Sequence, residues 1–173
     1  DLGEKGGKYT HGGMWAGTGF AMLGEKARAW ELFAMLNPIH HGSRQDTIEH
    51  YRVEPYVMCA DIYGAPPHTG RGGWTWYTGA AGWMYRLTVE TLLGLNLEGD
   101  RLRIAPCIPD DWTSYKIHYR FRDTFYHITF RRAGEDADRK VRVKLDGVVV
   151  KGPGTDGAGR PQGLIPLVND RKE

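Results

Sequence analysis

The chain has 173 residues, with 23 Lys+Arg against 21 Asp+Glu and a formal net charge of +2, which is the size of one average domain or two small ones. The near-neutral balance gives no strong pull toward nucleic acid or a membrane surface, and no apolar run is long enough to predict a transmembrane helix. Two cysteines, Cys59 and Cys107, are too few for a disulfide framework or a four-thiolate zinc site, so a reducing compartment is the mild preference.

The first half reads as helices. Met14 to Leu23 is a small, apolar run preceded by Gly12-Gly13, and Gly24 sits where a helix C-terminus favours positive φ. Glu25 to Leu36 resumes with Ala27, Trp30, Phe33 and Ala34 at helical spacing, and Asn37-Pro38 stops it. The tight joint predicts an antiparallel helical pair. Residues 37–53 are polar and read as a loop. A third helix is predicted from Glu54-Pro55 to Gly64, because proline is favoured in a first helical turn. Residues 65–73 read as turns, and a fourth helix is predicted from about Thr78 to Leu93, ended by Gly94.

Beyond Gly94 the apolar period changes from 3.6 to 2. Alternation over 101–104, 117–121, 126–130 and 141–145 predicts strands. Asp146-Gly147 between β-branched runs is a strong hairpin signal. Residues 151–163 are expected to be a long loop and 164–168 a last short strand. The fold class expected is therefore α+β in two parts, helices in 1–95 and an antiparallel β part in 96–173. Several helices are apolar on more than one side, which predicts helical neighbours outside this chain. The start at Asp1, inside a glycine-rich polar stretch, reads as an internal cut in a longer protein.

Gly reaches 24 residues and Trp, Tyr and Phe contribute 6, 9 and 5; this combination suits close backbone approach and flat apolar contact surfaces. The densest segment runs from Arg71-Gly72-Gly73-Trp74 through Trp76, Thr78 and Gly79 to Trp83. Glycines before a helix, with Thr78 near the cap, present backbone N–H groups as a generic anion site. It is not a Walker loop, since Gly-Lys-Ser/Thr is missing. Trp74 and Trp76 either offer faces to a sugar ring or simply fill the core. His11, read as preceding the first helix, either contacts a phosphate or hydroxyl or is a satisfied loop histidine. Glu54 either caps the third helix or grips sugar hydroxyls. Asp61, on a nearly opposite helical face, makes no catalytic pair with it, and a hydrolase normally needs two carboxyl groups. His40-His41 has no third ligand at metal spacing, so no metal site is assigned. Arg131-Arg132 and the run from Arg139 to Lys144 read as solvated strand faces, so no nucleic-acid partner is expected.

Three ordered motifs carry a resemblance: Tyr9-Thr10-His11-Gly12-Gly13, Arg52-Val53-Glu54-Pro55-Tyr56-Val57, and Gly72-Gly73-Trp74-Thr75-Trp76-Tyr77-Thr78-Gly79-Ala80-Ala81-Gly82-Trp83-Met84-Tyr85-Arg86. Together they resemble glycoside hydrolase family 94. Pro66-Pro67-His68 and Pro106-Cys107-Ile108-Pro109 are similar to its branch formed by the C-terminal regions of cyclic β-1,2-glucan synthases. The resemblance implies the last helices of an (α/α)6 barrel followed by a C-terminal β-sandwich. It also implies inverting phosphorolysis of a β-glucan, β-1,2-linked in that branch, to α-glucose 1-phosphate.

Inorganic phosphate is then a co-substrate and no cofactor is expected. In that pattern His11, Thr78 and Gly79 contact phosphate and Glu54 lies near the sugar, while Trp74 and Trp76 stay candidate sugar-binding faces. The general-acid aspartate and a phosphate-holding arginine belong upstream of Asp1, so the fragment alone is expected to be inactive. Its partners would be β-glucan oligosaccharide, phosphate and the rest of the parent polypeptide, on the cytoplasmic side of a bacterial inner membrane. Two alternatives stay open: a hydrolase or transglycosylase on the same scaffold, and a non-catalytic carbohydrate-binding or structural lobe.

Overall fold

Small side chains let the first two helices come together. The computed structural model describes residues 7–76, 79–132, 141–150, 154–155 and 161–171. In it Thr10–Met22 forms α1 and Lys26–Leu36 forms α2, joined through Gly24 at φ +82°. A Cβ added at Gly13 would press on Leu36, and one at Gly17 would meet Leu32 and Leu87. Contacts that run forward on α1 and backward on α2 make the pair antiparallel, as the sequence predicts.

The chain divides into two compact units between Leu92 and Leu93. In the first, β1 (Gly7–Tyr9) leads into α1 and α2, followed by α3 (Pro38–His41), α4 (Gln45–Tyr51), β2 (Asp61–Tyr63) and α5 (Ala80–Tyr85). Helix α5 continues into a π-helical stretch, Arg86–Leu92. Met14, Ala21, Ala29, Tyr51, Cys59, Ala80, Leu87 and Leu92 are buried there. The Tyr51 hydroxyl lies 3.2 Å from the Cys59 sulfur, and burial together with that contact pushes its pKa above the ordinary tyrosine range. Met22, Met35, Ile39 and Ile48 on α1–α4, and Leu23 at the C-terminal cap of α1, are exposed.

In the second unit every described strand pairing is antiparallel. Strands β3 (Leu95–Glu98), β4 (Arg101–Ile104), β9 (Gly154–Thr155) and β10 (Pro161–Pro166) form one sheet in the order β3-β4-β10-β9. Strands β5 (Ser114–Phe121) and β6 (Thr124–Arg131) form a long hairpin, and β7 (Val143–Leu145) and β8 (Val148–Val150) a short one. The Asp146-Gly147 turn has φ of +50° and +82°, the positive values that a two-residue hairpin loop with matching twist requires. Leu95, Leu102, Ala105, Cys107, Ile108, Ile165 and Leu167 form the buried set. Tyr115 donates to the Leu93 carbonyl at 2.7 Å, and burial raises its pKa above the usual tyrosine value.

Several expectations are corrected. Residues 37–53 hold α3 and α4: Asn37 both ends α2 and caps α3, accepting from the Ile39 amide at 3.0 Å with Pro38 in the first turn. The third helix over 54–64 does not form; 52–60 is irregular and Asp61–Tyr63 is a strand. His11 lies within the first turn of α1 rather than before it. Residues 154–155 and 161–163 are paired as strands within the expected loop. Arg132 is half-buried and ties down the 108–110 segment, donating to the Pro109 carbonyl and the Asp110 carboxylate at 2.9 and 2.8 Å. Arg139 and Lys140 lie outside the described residues, as does Thr78.

Candidate functional site

The three-residue strand β2 gathers the motifs. On one side Tyr9 pairs with Asp61 and Gly7 with Tyr63, and the Thr10 amide donates to the Ala60 carbonyl at 2.9 Å. On the other side the Gly73 amide donates to Asp61 and the Ala60 amide to Trp74, at 2.9 and 2.7 Å. Segments near residues 10 and 73, distant in sequence, are thus held one strand apart. The Gly72 and Gly73 N–H groups are both spent on backbone partners, Tyr51 and Asp61. They are therefore not the free donors expected of an anion cradle.

These two glycines serve close packing. A Cβ at Gly72 would overlap Val53, and one at Gly73 would overlap the Asp61 carboxylate. Asp61 is buried, and among the described residues its Oδ1 has no hydrogen-bond partner. With 52–60 irregular and Asp61 on a strand, Asp61 and Glu54 do not stand on opposite faces of one helix. Gly73→Ala is expected to push the Asp61 carboxylate out of its place. It should destabilise the protein by about 1–3 kcal/mol, as overpacking typically does, read as a lower urea midpoint at unchanged m-value.

A ladder of rings ties His11 to α5. His11 lies 5.9 Å from the Tyr9 ring and 5.2 Å from Trp15, centroid to centroid. Trp15 meets Trp83 edge-to-face at 5.3 Å, and the Arg86 guanidinium lies 5.0 Å over Trp83. A Cβ at Gly79, the cap position of α5, would come to 3.8 Å from Trp83. The Trp15–Trp83 contact thus packs the helix that carries His11 against the helix that Gly79 caps. Helix α1 carries no capping side chain and no acidic residue in its first turn, so no carboxylate there opposes an anion.

Glu54 and Trp76 form a second group. The Trp76 indole N–H donates to Glu54 Oε1 at 3.4 Å, and Tyr56 lies 6.3 Å from the Trp76 ring. Trp76 has φ +63°, which costs energy for any residue with a Cβ. Trp74 and Trp76 are 69% and 75% exposed, so neither fills the core of this chain.

From the sequence alone Trp15, Tyr56 and Arg86 take no individual role at the site, although Tyr56 and Arg86 lie within its motifs. The i, i+4 spacing of His11 and Trp15 on one helix was the available signal. The histidine pair at 40–41 is used locally: His41 stacks on Tyr51 at 4.4 Å and its Nε2 lies 2.7 Å from the Met35 carbonyl.

Among the described residues no helix is long and apolar enough to cross a membrane. Residues 2–94 match the Glycosyl hydrolase 94 superfamily, catalytic domain, and 95–150 match the Glycosyl hydrolase family 65, C-terminal domain. Over 140 residues the chain is 46% identical to the cyclic beta-(1,2)-glucan synthase NdvB of Rhizobium meliloti (strain 1021), covering 81% of this chain and 5% of that protein. It is 30% identical over 150 residues to the solabiose phosphorylase of Paenibacillus borealis, with 86% and 19% covered. An N,N'-diacetylchitobiose phosphorylase of Vibrio furnissii is 35% identical over 127 residues, with 73% and 16% covered. The chain therefore spans less than a fifth of the length of each of these relatives. With a catalytic-domain match over more than half of its residues, the chain belongs to the glycosyl hydrolase 94 superfamily.

Proposed function

We propose that this chain is the C-terminal part of a glycoside phosphorylase-type enzyme that acts on β-glucans, β-1,2-linked, in the manner of the cyclic glucan synthase branch. The observation that supports the reading is the Trp15–Trp83 ring contact, which packs the helix carrying His11 against the helix capped by Gly79. Phosphate would be held by His11, Thr78 and Gly79. Glu54, with Trp76 beside it, would contact glucosyl hydroxyls and ring faces together with Trp74. Phosphate oxygen attacks the anomeric carbon, the glycosidic C–O bond breaks, and a general acid from a preceding part of the parent protonates the departing oxygen. No cofactor takes part, phosphate being the co-substrate, and the fragment alone does not turn over.

In the parent, the helices of the first unit would close an (α/α)6 barrel, which gives the exposed Met22, Leu23, Met35, Ile39 and Ile48 an apolar covering. The strands from Leu95 onward would form a β-sandwich. The parent works on the cytoplasmic side of a bacterial inner membrane.

The test is incubation of the parent polypeptide with β-1,2-linked glucose oligomers, with and without inorganic phosphate. α-Glucose 1-phosphate is expected only when phosphate is present. Phosphate-independent reducing ends would instead establish a hydrolase or transglycosylase with Glu54 as the second carboxylate. Glucan binding without turnover would leave a non-catalytic lobe.

A further inference from the structure

Among the described residues no group of three or more His, Cys, Asp or Glu side chains is placed to hold a metal ion, yet one pair of imidazoles has the geometry of a two-point ligand. His118 on β5 and His127 on β6 are directly opposed in the antiparallel register. Their Nδ1 atoms are 2.6 Å apart, and the rings meet edge-to-face at 4.8 Å and 72°. Both residues are exposed. Each hairpin strand has eight residues, so backbone pairing holds the two Cβ atoms in place before any ligand arrives.

Two nitrogens this close can share one proton or one cation, because two N–H groups would put both hydrogens in the same gap. We propose that His118 and His127 form a two-imidazole site for a divalent transition-metal ion of the Cu2+ or Zn2+ type, with water completing the coordination. Bonds of about 2.0–2.1 Å from one ion place two nitrogens about 2.9 Å apart at the right angle of a tetragonal Cu2+ site and about 3.3 Å apart at the tetrahedral angle of Zn2+. A small rotation of two exposed rings supplies the difference. Imidazole suits copper, nickel and zinc, with copper bound most tightly. Once one ring binds, the second is already local, so its ligation proceeds at high effective concentration.

The same face carries Lys116, Arg120 and Arg131. Arg120 is turned toward the hairpin end, where its Nε donates to the Arg122 carbonyl at 2.8 Å and its guanidinium lies over Phe125 at 5.5 Å. Lys116 and Arg131 are exposed, and their repulsion falls off over a Debye length of about 8 Å at physiological salt. They lower the affinity without blocking the two nitrogens.

The experiment is a Zn2+ titration of the 173-residue chain, followed through the imidazole ring resonances by NMR. A saturable one-to-one step should move the His118 and His127 signals together. His118→Ala and His127→Ala, both at exposed positions, should each weaken binding at least tenfold, while His40→Ala leaves it unchanged. Unchanged affinity in either pair variant would overturn the site. So would a response confined to His11, His40, His41, His50 or His68, or the absence of any saturable step.

Discussion

His11→Ala in the parent polypeptide is expected to lower kcat/KM for phosphate about a hundredfold. Removing one preorganised polar contact to a developing or bound anion typically costs that much or more, which corresponds to about 2.7 kcal/mol. The expectation follows from position. His11 is on the first turn of α1, where no carboxylate competes for an anion, and its ring is fixed between Tyr9 and Trp15. KM for phosphate should rise while binding of the glucan, measured without phosphate, stays unchanged. Trp15→Phe separates contact from support: it keeps the imidazole, loosens its seat against Trp83, and should cost less than the histidine variant. Equal losses toward phosphate and glucan in His11→Ala would remove the phosphate assignment and leave His11 as a packing residue.

Gly94→Ala is expected to be the most damaging single methyl addition in the second unit. Gly94 is buried, has φ +73°, and a Cβ there would overlap the Ala105 carbonyl and the Pro106 nitrogen. The obstacle is backbone, which cannot swing aside like a side chain, and it is anchored by the Ala105 amide donating to the Gly94 carbonyl at 2.9 Å. A left-handed backbone costs about 1–2 kcal/mol for an L side chain, and overpacking adds about 1–3 kcal/mol. Gly99→Ala isolates the first contribution, since Gly99 has φ +63° and open space around it. Urea unfolding should therefore show a loss of about 1–2 kcal/mol for Gly99→Ala and clearly more for Gly94→Ala. Equal losses would show that the Ala105 contact can relax.

The parts of the fold legible in advance are those encoded within one turn or one hairpin. Apolar spacing together with Gly24 located α1 and α2. Period-2 alternation found β5 and β6, and Asp146-Gly147 located the turn between β7 and β8. Short elements were lost because they carry too few repeats of their period to show one. Helix α3 has four residues and β2 three, and Glu54-Pro55 mimics a helix start that the next residues do not continue. The family motifs were also readable, since they are runs of residue identity.

Local pattern in the chain, then, determined the paired helices, the strand-rich second part and the family resemblance. Tertiary structure alone decided that Asp61–Tyr63 is a strand, because its hydrogen-bond partners lie near residues 8 and 72 and leave no periodic trace. It decided that Gly72 and Gly73 serve close packing rather than offering N–H groups, since only the approach of Val53 and Asp61 reveals what their missing Cβ atoms would strike. It also set Trp15, beside His11, against Trp83 of α5 and His118 against His127. Periodicity reports which way a side chain faces, whereas which distant group it meets depends on how whole elements pack.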